Sequence, residues 1–130
     1  MSNVVPIETA LGYFRGRDCI FLDHITFHDN FTTLELDGDI NGVLCSIPQP
    51  DRYIPYSLRF RGILAVQMIE LDSDSSDGES CFDEVVASQW VLSLGGKATI
   101  AHRHFSFVTY DHVFQVVAES YEFEVSTRYE

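Results

Sequence analysis

From Cys19 the chain alternates: Phe21, Ile25 and Phe27 share one parity, with polar residues between some of them. Every second side chain of a strand faces the same way, so this stretch reads as extended. His28-Asp29-Asn30 reads as a turn, and Phe31 to Leu36 as the returning strand. Asp37-Gly38 is a tight-turn dipeptide of the kind that needs positive φ. Ile40 to Ile47 follows as a third short strand, closed by Pro48 and Pro50.

Residues 48–55 are proline-rich and read as a loop or extended connector. Tyr56, Leu58 and Phe60 then alternate with Ser57, Arg59 and Arg61. This strand is expected to continue past a bend or bulge at Gly62 into Ile63 to Leu71, with a helix over Ile63 to Leu71 as the alternative. Residues 1–17 carry no decisive pattern, and Ile7 to Phe14 fits a helical turn or an edge.

The strongest helix signal lies at about residues 81–94. Ser80-Cys81-Phe82-Asp83 has capping-box spacing, with Asp where Glu is more usual. Phe82, Val85, Val86 and Trp90 recur at helical spacing, and Gly95-Gly96 supplies a left-handed end. The last third predicts a hairpin: Thr99 to Thr109, a turn at Tyr110-Asp111-His112, and a strand from Val113 to Val125. These elements predict a β-rich α+β fold, a twisted antiparallel sheet or partial barrel with one main helix packed against it.

Composition narrows the classes. The 130 residues are 45% hydrophobic, a proportion that supports one domain with a sizeable core. Eight Lys and Arg against 20 Asp and Glu leave a formal charge of −12, which has the wrong sign for nucleic-acid phosphates and suits either a basic protein partner or solubility alone. No apolar run approaches the roughly 18 residues of a membrane span. No basic region followed by an apolar stretch opens the chain, which speaks against a secretory signal. Cys19, Cys45 and Cys81, without a Cys-x-x-Cys pair, read as reduced, buried thiols of a cytoplasmic protein.

Candidate chemistry is sparse. The acidic run Asp72 to Glu79 reads as a solvated loop, and the spacing from Ser73 to Glu84 matches a calcium-binding loop only at its fifth, sixth and twelfth positions. Negative charge at Asp83 and Glu84 is better explained by the expected helix start. His102 and His104, two apart, would share one face of a strand and form a weak metal pair, with His112 as a third ligand. His24 and His28 are four apart within an alternating segment, so they do not share a helical face. No nucleophile elbow or phosphate-cradling loop is present. Neither a catalytic residue nor a cofactor is expected. Trp90 reads as core, with an interface anchor as the alternative.

The segment from Ser88-x-Trp90 through Gly95-Gly96 to the run Tyr110-Asp-x-Val-Phe114 and on to Phe123 resembles small bacterial immunity-type proteins, over about residues 80–125. The resemblance implies a cytoplasmic inhibitor that binds and blocks a cognate toxin. The expected function is therefore that of an acidic module occluding a basic partner, with Asp72, Asp74, Asp77, Glu79, Asp83 and Glu84 as the contact surface. Two other classes remain open: a small-molecule or metal-binding β-barrel using His102 and His104, and a structural homo-oligomeric subunit, for instance a homodimer.

Overall fold

A computed structural model describes residues 3–70 and 80–126. Its strands are β1 (Asn3–Pro6), β2 (Ile20–His28), β3 (Thr33–Ile40), β4 (Ile54–Arg61), β5 (Ala65–Glu70), β6 (Phe82–Val86), β7 (Arg103–Val108), β8 (His112–Ala118) and β9 (Ser120–Val125). One short helix, α1 (Gln89–Ser93), follows β6. The strands form two antiparallel sheets, β1-β6-β7-β8-β5 and β2-β3-β4-β9, which do not close into a barrel. No helix among the described residues is long and apolar enough to cross a membrane.

The two sheets are joined by one bent ribbon. β4 pairs with β9 in the second sheet, and their continuations β5 and β8 pair in the first. Both chains turn the corner together, at Gly62 on one side and Glu119 on the other. Leu64 N–H donates to Val117 O at 2.8 Å and Glu119 N–H to Arg61 O at 2.9 Å, so pairing continues through the bend. Gly62 has φ +67, as the expected bend requires. The apparently continuous strand from Val113 to Val125 is thus two strands belonging to different sheets.

The core is aromatic and lies between the sheets. Phe82 of β6 meets Phe107 of β7 edge-on at 5.4 Å and Tyr121 of β9 at 5.2 Å. Phe60 of β4 meets Phe105 of β7 at 5.5 Å. Such pairs contribute about 0.5–1.5 kcal/mol each beyond the area they bury. Phe14, in the N-terminal loop, is fully buried and lies 5.5 Å from Phe123.

Four local expectations are corrected. The helix over about 81–94 shrinks to Gln89–Ser93, because Phe82 to Val85 pair with β7 in the register Phe82↔Phe107 to Val85↔His104. A strand places Phe82 at the centre of the aromatic core, and β-branched Val85 and Val86 favour it. Ser80 and Asp83 do bond to each other, but at a strand entry; the helix cap is Ser88, which accepts from Val91 N–H. Asp37-Gly38 is not a turn but lies inside β3, where a β-carbon on Gly38 would run into the Phe21 carbonyl beside the β2 bulge. Ile40 ends β3, and the following residues form a 3-10 turn at Gly42–Leu44 instead of a third strand. Phe31 belongs to the β2–β3 turn instead of the returning strand.

Candidate functional site

The β2–β3 hairpin reaches beyond the core. Directly opposed residues of antiparallel strands share a face, so Ile25 and Phe27 lie beside Leu36 and Leu34. Leu34 and Leu36 are buried, whereas Ile25 and Phe27 are exposed, because β2 is an edge strand that the first sheet does not cover there. The tip is conformationally costly. Asp29, Asn30 and Phe31 have φ of 54, 55 and 68. A left-handed non-glycine residue costs about 1–2 kcal/mol, and a bulky one is the least suited. The turn is held by Thr32 N–H and Oγ1 donating to Asp29 O at 3.2 and 2.7 Å, and by Thr33 Oγ1 donating to Asp29 Oδ2 at 3.2 Å. It presents Phe31 with 75% of its surface exposed, 5.5 Å from the ring of Phe27.

A groove of about 470 Å³ runs alongside this hairpin. Phe21, Leu22 and Ile25 of β2, Met68 of β5 and Tyr110 of the β7–β8 turn give it apolar walls, and Asp23 and Asp111 add acid. Its closed end is well ordered by contacts: Tyr110 N–H donates to Ile20 O at 2.8 Å, and its ring stacks on Phe21 at 5.5 Å. Arg17 secures Tyr110 from behind, donating to its carbonyl at 3.0 Å with the guanidinium over the ring.

The opposite face of the second sheet is a ladder of charges. His28 Nε2 lies 2.9 Å from Glu35 Oε1, and Arg59 Nη2 and Ser57 Oγ donate to Glu35 Oε2 at 2.9 and 3.0 Å. These hydrogen bonds, His28 first, hold the Glu35 carboxyl down at about 2. His24 Nδ1 lies 2.8 Å from Asp37, which raises the pKa of this exposed imidazole.

The residues expected from sequence lie elsewhere. Asp72, Asp74, Asp77 and Glu79 are outside the described residues, as is most of the calcium-like spacing from Ser73. Asp83 is fully buried and accepts from Ser80 N–H and Oγ at 3.1 and 2.6 Å, so its carboxylate is not presented at the surface. Glu84 is clasped by Arg103, whose Nη2 and Nε donate at 2.6 and 3.2 Å, on the wall of a second pocket of about 340 Å³.

His102 and His104 are not a metal pair. His102 precedes β7 in a turn, where Thr99 N–H donates to its Nδ1 at 2.9 Å. His104 lies on β7 with both nitrogens engaged, Nδ1 at 2.7 Å from Ser88 Oγ and Nε2 at 2.5 Å from Gln115 Oε1. Burial lowers its pKa, against the opposing pull of Gln115. His112 sits apart, in the groove beside β2. Among the described residues no three His, Cys, Asp or Glu side chains could hold one ion.

The Ser88–His104 contact is structural in form. Ser88 Oγ also accepts from Val91 N–H, and Trp90 lies across the imidazole at 5.2 Å. Gln115 Nε2 extends the chain to Ser106 Oγ at 3.1 Å, so the network fixes α1 onto the outer face of the first sheet. Cys19, Cys45 and Cys81 are free and buried. Burial pushes the Cys81 thiol up to about 11, which leaves it without thiolate character at neutral pH.

No family model matches this chain, and no curated protein matches it. Among solved structures it is similar to one described as an uncharacterized protein from Neisseria gonorrhoeae. The two share 14% identity over 95% of this chain and 97% of that one, with a TM-score of 0.44.

Proposed function

We propose that this chain is an acidic protein-binding module that docks the β2–β3 hairpin and its groove onto a basic partner. The observation that carries the reading is Phe31, held left-handed and 75% exposed against Phe27 at the hairpin tip. Beyond the exposed contact of Phe31 with Phe27, folding gains nothing from presenting a strained aromatic to water. An aromatic anchor entering a partner's pocket gives the strain a use, since large aromatics supply most of the energy at such interfaces. The charge of −12 accelerates encounter with a basic surface and lets a few apolar contacts hold the complex.

An inhibitor of the immunity type, acting in the cytoplasm, is the concrete form of this role that the resemblance over residues 80–125 points to. The histidine-based ligand-binding reading is less favoured, because both nitrogens of His104 are already engaged. The test is affinity capture with the intact protein at low salt and at about 0.5 M, where screening falls to a few ångströms. A stoichiometric basic partner, weakened by salt and lost with Phe27→Ser/Phe31→Asn in a variant that keeps its Tm, supports the proposal. A partner retained through both changes contradicts it.

A further inference from the structure

We infer that the open edge of β2 is a strand-addition site for an extended, basic segment of the partner; the inference rests on the protein-binding reading above. β2 pairs with β3 along one side, and no other strand among the described residues pairs with its second side. At its start that second side is already engaged, by Tyr110 N–H at Ile20 O. The groove opens where this contact ends and follows β2 to Ile25. From Leu22 to His28 the edge is about 20 Å long at strand rise.

Exposed edges are usually blunted by Lys, Pro or a bulge, because their unpaired N–H and C=O groups template another strand. β2 carries no Lys and no Pro, and its bulge lies near its start, between Leu22 and His24. The stretch beyond is regular, with Ile25 and Phe27 on one face and His24, Thr26 and His28 on the other. An added strand therefore meets an apolar wall on one side and a polar face on the other. This alternation suits a segment that is itself alternating.

Charge selects the occupant. Asp23 and Asp111 line the groove together with His112, and no Lys or Arg does so among the described residues. A second copy would bring the same acids together, at −12 per chain. A segment with Lys or Arg at alternate positions and apolar residues between them neutralises the acids and fills the wall.

The experiment uses the whole protein and a fluorescent heptapeptide, Lys-Val-Lys-Val-Lys-Val-Lys, read by anisotropy at low salt. The basic peptide is expected to bind saturably, and a Glu-Val counterpart to bind at least about tenfold more weakly. Two further peptides carry backbone N-methyl groups, on the Lys residues or on the Val residues. Alternate amides face a strand edge, so one methylated set should lose about tenfold or more while the other still binds. Loss in both sets, or in neither, overturns strand addition; loss in neither leaves an acidic binding surface standing. Absence of saturable binding by the basic peptide also overturns strand addition, while the hairpin reading is judged by its own capture experiment. Dimerisation abolished by Ile25→Asp would assign the edge to a second copy and overturn the inference.

Discussion

Glu119 folds its side chain over Gly62, so that a β-carbon on Gly62 would come within 2.7 Å of the Glu119 Cγ. The pair marks the corner at which β4–β5 and β8–β9 pass from one sheet to the other. Gly62→Ala is expected to cost about 1–2 kcal/mol, mainly for the left-handed backbone, because the exposed Glu119 side chain can move aside. Gly38→Ala is expected to cost more, about 3 kcal/mol or above, because there the obstacle is the Phe21 carbonyl. Urea denaturation of the two variants checks the order, and a larger loss at Gly62 would contradict it.

Phe31 should behave as a residue kept at some expense to stability. Phe31→Gly relieves the left-handed strain and suits the position after Asn30 in the hairpin turn. It sacrifices the exposed contact with Phe27 and adds freedom to the unfolded chain. The expected Tm is equal to or a few degrees above the parent, with partner capture lost. A clearly lower Tm would show that Phe31 serves the fold.

Acid should loosen α1. The folded-state pKa of His104 is lowered by burial, so the unfolded chain takes up that proton first. Its contribution to stability is complete above the unfolded value of about 6.5 and is lost as pH falls toward the folded value. Glu35 acts in the same direction at lower pH, between its ordinary value of 4.5 and about 2. His24 opposes both: its pKa is raised, so its contribution is complete below 6.5 and fades as pH rises through the folded value. Urea titrations from pH 7.5 to 5 should show stability changing more favourably on acidification in His104→Gln than in the parent, because the variant loses the contribution of His104 and keeps that of His24. An unchanged slope in that variant would remove His104 as the cause.

The thiols should be silent in the native protein. Cys19, Cys45 and Cys81 are all buried, and the Cys81 thiol is raised to about 11. The Cys19 thiol is raised by its hydrogen bond with Cys45, which lowers Cys45 in turn, so burial alone keeps Cys45 from reagent. Ellman's reagent at neutral pH is expected to find no fast-reacting thiol until denaturant is added, when three appear. A rapid stoichiometric reaction in native buffer would contradict the burial.

Much of the sheet content was legible because alternation is a local signal. Tyr56, Leu58 and Phe60 alternate inward as read, and the bend at Gly62 falls where the break in that pattern places it. Phe82 to Val86 misled because three apolar residues at i, i+3 and i+4 fit a helix, while the pairing of Phe82 with Phe107 and of Val85 with His104 is a long-range fact. The division of Val113 to Val125 between two sheets was likewise hidden, since no Gly or Pro marks Glu119. The hairpin anchor escaped for a related reason. Phe31 directly follows the His28-Asp29-Asn30 turn and reads as the first residue of the returning strand, and only its backbone conformation moves it out of the strand and into water.

Amide hydrogen exchange of the protein, alone and with the basic partner retained by affinity capture, reads out the docking surface residue by residue. Docking through the hairpin should bring new protection across β2, the Asp29–Thr32 turn and Tyr110 to His112, with α1 and the pocket beside Glu84 unchanged. Protection centred on α1 or on residues 72–79, with β2 exchanging as in the free protein, would contradict it.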